Sequence, residues 1–231
     1  MVVTEKELTL NARAQELLRK LLLVWLDFER SLGKIPILRR LEQGRFTADD
    51  YKTLLLNLRP QVIEGSRWIT RAASSFTSEF AELRSKVIGH AYDEHRDYQM
   101  LESDFVAVGG ELKNIRSAPR NIGTEALASF LMQQASLPNP VDLLGAMFII
   151  EGLGQKMAQG WAQKIQQALG VSADATKFLS YHGLNDSEHL AKLHSILDSD
   201  AVTNETAPRI LKTAKVVARL YLLQLEELDN V

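Results

Sequence analysis

The run His182-Gly-Leu-Asn-Asp186-Ser-Glu-His189 holds two imidazoles and a carboxylate at positions i, i+4 and i+7. On a helix these three side chains fall within a band of roughly 60° on one face. Imidazole nitrogen together with carboxylate oxygen is the mixed donor set that suits iron, manganese or zinc. Glu151 is a second chemical signal, because it ends the apolar stretch Leu143-Leu-Gly-Ala-Met-Phe-Ile-Ile150. A carboxylate in such a run is costly to bury unless it is paired or binds a metal. Two helices that present Glu and His/Asp/His to one buried point would make a carboxylate-bridged metal site in a helical core.

Each signal also has a plainer reading. Asn185-Asp186-Ser-Glu188 reads equally as a helix start, with Asn185 or Asp186 as N-cap and Glu188 completing a capping box. A capping Asp186 would spend its carboxylate on backbone N–H groups. Glu151 can pair with an arginine, or sit where the apolar face meets water. Gly145, Gly152 and Gly154 weaken that helix, for close helix packing or to leave room beside Glu151. His90, Asp93, Glu94, His95 and Asp97 form a further polar cluster. His90, Glu94 and Asp97 share a face, whereas His95 points about 100° away from Glu94. By itself this cluster reads as a solvated helix face. Glu64 lies within an amphipathic helix and is uninformative alone.

The elements that must position these groups are all helical. Apolar residues recur at three-and-four spacing from about Glu5 to Leu32, and Gly33 and Pro36 end that helix. Thr47-Ala-Asp-Asp50 marks a second start, with Thr47 as N-cap and Asp50 in the third helical place. That helix runs towards Ser75 and is expected to kink at Pro60. One long helix is expected from about Ser78 to Val108, ending at Gly109-Gly110, and a polar loop over 111–121. Further helices are expected over Thr124–Gln134, Val141–Leu169 and Thr206–Asp229, with a less regular stretch after Ser172. Strand alternation, repeats and low-complexity segments are all missing, so one helical domain over 1–231 is the expectation.

Composition narrows the function classes. The net charge of −2 carries no basic footprint for nucleic acid. The chain has no cysteine, which excludes disulfides, thiolate metal sites and a cysteine nucleophile. The charged start Met-Val-Val-Thr-Glu-Lys-Glu-Leu has no apolar signal core, and the longest apolar runs are far too short for a bilayer. A cytoplasmic protein without membrane or nucleic-acid partners is expected.

These motifs resemble the haem-oxygenase-like helical superfamily, which includes the TENA-like proteins, the pyrroloquinoline-quinone synthase group and dinuclear-iron oxidases and oxygenases. Leu41-Glu-Gln-Gly44-Arg-Phe-Thr47 is similar to the family's short helix, glycine and next helix start. Glu94-His-Arg-Asp97 is similar to its Glu-x-x-His helix, Phe148-Ile-Ile-Glu151-Gly to its metal-bearing core helix, and Tyr181-His182-x3-Asp186-x2-His189 to its last ligand helix. The resemblance covers the chain from about Leu38 onward and implies an all-α, single-domain multi-helical bundle that forms a homodimer.

The implied metal ligands are Glu151, His182, Asp186 and His189, with Glu94 and Asp97 from the earlier motif and Glu64 from the helix before it. Asp97 stands where the di-iron members carry histidine, and His90 can supply that imidazole from the same helix. The resemblance implies a dinuclear iron site, or iron with manganese, that oxidises a small organic substrate with O2, with Glu151 as the best bridging carboxylate. If Asp97 marks a dismantled site, no metal is implied. The alternative is a metal-free TENA-like protein that binds a small heterocycle of the thiamin-pyrimidine kind. Thiaminase chemistry needs a cysteine, and a haem ligand needs a histidine on the first helix, where this chain has none.

Overall fold

The computed structural model describes residues 10–184 and 196–229, and all regular structure among them is helical. Helix α1 covers Ala12–Leu32 and starts at Asn11, whose side chain accepts a hydrogen bond from the Ala14 amide. Its apolar stripe, Leu17, Leu21, Trp25, Phe28 and Leu32, is buried, as a helix with one apolar face requires. Pro36 opens α2 (Pro36–Glu42), where its missing N–H costs nothing.

Helix α3 (Ala48–Ser75) begins with the expected capping box. The Thr47 hydroxyl accepts from the Asp50 amide, and Asp50 Oδ2 accepts from the Thr47 amide at 2.9 Å. Pro60 lies inside this helix, which continues through it to Ser75.

The single helix expected over 78–108 is two. Helix α4 (Ala81–Glu94) and helix α5 (Tyr98–Ala107) are separated by a turn at His95, Arg96 and Asp97. His95 Nδ1 lies 2.6 Å from the Tyr92 carbonyl, so a side chain satisfies a carbonyl that a continuing helix would have used. The loop expected over 111–121 contains a short helix, α6 (Leu112–Ser117). Its only buried residue is Ile115, and Arg116 reaches back to Glu102 on α5. Helix α7 covers Ile122–Ala135.

The helix expected over 141–169 is stacked but irregular. A 3-10 turn (Val141–Leu143) leads into α8 (Leu144–Leu153), a π turn (Gly154–Ala158) and α9 (Gln159–Leu169). Gly170, at φ +64°, ends α9 in the left-handed conformation that favours glycine. Residues 177–184 form α10, and α11 covers Thr206–Glu226.

Helix α3 packs on α4, α5 and α7, while α11 packs on α1, α7 and α8. The buried apolar side chains join into one cluster that reaches from Ala14 to Leu228. Within it Trp25, Phe28 and Tyr221 meet edge to face, tying α1 to α11. Each fully buried side chain of this kind contributes about 1.5–3 kcal/mol relative to exposure. No described helix is long and apolar enough to cross a membrane.

Candidate metal centre

The last turn of α4 brings two donors inward. His90 and Glu94 are four residues apart and share a face with buried Ala91, while Tyr92, Asp93 and His95 face outward. The turn after α4 returns the chain so that Asp97 is also buried. The solvated-face reading therefore holds for Asp93 and His95 but is overturned for His90 and Asp97.

Glu151 comes from α8, whose other residues are all apolar or glycine. Two glycines let α8 sit this deep. A β-carbon on Gly145 would lie 2.1 Å from the Ile210 carbonyl oxygen of α11, and one on Gly152 would press on the Trp25 ring. Close packing explains both, whereas Gly154, at the π turn, lines a cavity. Single π turns inside helices recur at functional sites. Glu151 Oε1 is 3.2 Å from His90 Nε2, and both side chains are buried.

His182 comes from α10, which starts on a carboxylate from another helix. Asp104 of α5 accepts hydrogen bonds from the amides of Lys177 and Phe178, at 2.9 and 3.0 Å. Burial pushes the Asp104 carboxyl up to about 6 against the opposing pull of these two amides. One turn further on, the His182 ring packs against Phe178 at 4.5 Å between centroids. Gly183 then seats α10 on α9, since a β-carbon there would be 2.8 Å from the Gln159 amide nitrogen.

The donors converge as two overlapping groups. Ligand atoms of His90, Glu94 and Glu151 lie within 4.8 Å of one another, and so do those of Glu94, Asp97 and His182. Glu94 belongs to both. Three carboxylates in so small a buried volume repel one another, and burial followed by the charge of Glu151 pushes Glu94 up to about 7. Asp97 Oδ2 is buried and has no hydrogen-bond partner among the described residues, although His182 Nε2 is 3.3 Å away. An orphaned carboxylate oxygen beside an imidazole nitrogen is the arrangement a cation would complete. The residues present therefore fit a bound metal ion.

Beside the donors lies a cavity of about 110 Å³. Leu58, Leu127, Leu131, Met147 and Trp161 give it a largely apolar wall, and His90, Glu94, Glu151 and His182 reach it.

The sequence matches the family described as iron-containing redox enzymes over residues 54–222, well over half of the chain. The chain belongs to this family. No curated protein matches the sequence. Among solved structures, a domain of unknown function with a heme oxygenase-like fold from Shewanella denitrificans is similar at TM-score 0.82 and 19% identity. That match covers 93% of this chain and 90% of the other. A TenA homologue from Pseudomonas syringae is similar at TM-score 0.73 and 11% identity, covering 96% and 95%. A TenA homologue from P. horikoshii is similar at TM-score 0.71 and 14% identity, covering 94% and 97%. At these identities the likeness shows a shared heme-oxygenase-like fold.

Of the ligands implied for this chain, Glu94, Asp97, Glu151 and His182 are brought together, and His90 joins them. Asp186 and His189 lie outside the described residues. Glu64 stands apart from both groups: its Oε1 accepts from Arg67 at 2.7 Å and from Arg120 of the segment before α7. Gln61 and Tyr221, which also line the cavity, carry no local motif. Only the α3 face that Gln61 shares with Leu54 and Leu58 hints at its place.

Proposed function

We propose that this member of the iron-containing redox family is an oxygen-dependent oxidase or oxygenase with a dinuclear iron centre, acting on a small organic substrate. The observation that carries this reading is the position of Glu94 in both donor groups. In this assignment Glu94, rather than Glu151, would be the carboxylate that both ions share. His90 and Glu151 serve one ion, and Asp97 and His182 serve the other. Asp186 and His189 are added to the set by their spacing from His182. Glu64 is left to its two arginines. Asp97 in place of a histidine makes the set richer in oxygen donors, so an iron–manganese pair also fits.

Iron held by these residues would supply the redox chemistry with O2, which side chains alone do not offer. The chain's own contribution is order and dryness. The helix turn between Glu94 and Asp97 fixes both carboxylates, Asp104 and Gly183 hold the helix that carries His182, and the apolar wall keeps water from the reacting end of the substrate. Glu94 holds its proton to near neutral pH, and the carboxylate that takes up a cation must release it.

Iron content after anaerobic reconstitution with Fe(II) is the deciding measurement, with manganese and zinc assayed in parallel. About two irons per chain, with ultraviolet absorption that changes on exposure to O2, is the expected result. Protein that holds no metal under these conditions overturns the reading and leaves a metal-free binding module on the same fold.

A further inference from the structure

One stretch of the cavity wall has no side chain. Gln61 and Val62, one turn before Gly65 on α3, line the cavity, and so do Trp68 and Ile69, one turn after it. Gly65 lies at the middle of that stripe and lines the cavity too. A glycine inside a helix weakens it, so its presence needs a reason. Close packing is the reason at Gly123, Gly145 and Gly183, where an added β-carbon would fall within 3 Å of a neighbouring backbone. A β-carbon on Gly65 would meet no neighbouring atom within 4 Å. Gly89 and Gly160 are open in the same way, but both are exposed on the surface and neither lines the cavity. Gly65 is half-buried, so the open space beside it belongs to the cavity.

We propose that Gly65 determines which substrates fit, by leaving the α3 backbone bare as a seat for the substrate's apolar body. What then happens to the bound molecule rests on the oxidase reading. Val62 and Ile69 bound the seat along the helix, roughly 10 Å apart at 1.5 Å of rise per residue. The cavity of about 110 Å³ approaches the size of one that takes up benzene. The ligand class is therefore a single apolar ring, or an alkyl group of similar bulk. His90, Glu94, Glu151 and His182 reach the same cavity, so a molecule seated on Gly65 shares its space with the metal donors. Any side chain at position 65 would occupy the seat and exclude the ligand in step with its size. The chain gives up helix stability at this position to keep the seat open.

Calorimetric titration of metal-free protein with benzene tests this, across wild type, Gly65→Ala, Gly65→Val and Gly65→Leu, with Gly160→Leu as a surface control. Benzene affinity should fall at each step of the series, by about tenfold or more in Gly65→Leu, while Gly160→Leu should bind as the wild type does. Without ligand, Gly65→Ala should melt about 1–4 °C above the wild type, because alanine favours the helix and the space is open. If Gly65→Leu fails to fold, Gly65→Ala and Gly65→Val carry the comparison. Absence of benzene binding by the wild type, unchanged affinity in the Gly65 variants, an equal loss in Gly160→Leu or a lower melting temperature in Gly65→Ala each overturns the proposal. The two readings fail separately: iron binding without benzene binding sinks the seat at Gly65, and benzene binding without iron sinks the oxidase.

Discussion

Asp97 Oδ2 stands 3.3 Å from His182 Nε2, although Asp97 lies in the turn after α4 and His182 in α10, 85 positions further along the chain. They meet because α4 stops at Glu94 and the turn after it aims Asp97 towards α10. Glu94 and Asp97 thus face one point from the two sides of a helix break.

The shared role of Glu94 predicts unequal losses of iron. Glu94→Ala should abolish iron binding after Fe(II) reconstitution. His90→Ala and Asp97→Ala should each retain about half the wild-type iron, since each belongs to one group only. Metal analysis with circular dichroism as a folding control makes the comparison. Equal losses in all three variants would show that Glu94 is not shared.

Gly183→Ala should move His182 without touching it. The added carbon would lie 2.7 Å from Gln159 Cβ and 2.8 Å from its amide nitrogen, so α10 must retreat from α9. A stability loss of about 1–3 kcal/mol is expected in urea unfolding. Iron occupancy should fall with it, and full occupancy would separate α10's seat from the metal site.

Glu64 should prove dispensable for metal and important for stability. Arg120→Ala leaves a buried carboxylate with one of its two guanidinium partners gone, which costs on the order of 1–3 kcal/mol. Glu64→Gln should keep its iron. Loss of iron in Glu64→Gln would return this residue to the ligand set.

Asp104 should give stability a pH dependence of an unusual direction. Its folded carboxyl is raised to about 6 by burial, against an ordinary value of 3.8. Between these values the folded state holds the proton that the unfolded chain has lost. This contribution is therefore present below about pH 4 and declines as pH rises through 6, by up to about 3 kcal/mol. Asp104→Asn cannot titrate, so wild type should lose stability relative to this variant between pH 4 and pH 7 in urea melts. A gap that is constant with pH would refute it.

The capping box at Thr47 and Asp50 is legible in the sequence, because its chemistry is local to four residues. Glu151 and His182 are legible for another reason: polar donors in a helical frame have few reasons to be there. The break at His95 is not, since residues 90–100 contain neither glycine nor proline, and the capping contact runs from a side chain to the Tyr92 carbonyl. Helix α6 is hidden because its anchors are tertiary, the buried Ile115 and the Arg116–Glu102 pair. The cap that Asp104 places on α10 joins residues more than seventy positions apart, beyond the reach of any periodicity. Gln61 carries no signal before the cavity around it is assembled.

The π turn at Gly154–Ala158 winds one residue more into its turn than an α-helix would. The wider turn is held within a continuous helical run, α8 entering it and α9 leaving it. Glu151 before it and Trp161 after it keep their inward aim, and the surplus is taken up where Gln155 and Lys156 meet solvent. Gly154 opens the turn and also belongs to the cavity wall, so the contour of the wall there is set by backbone winding as well as by side-chain size.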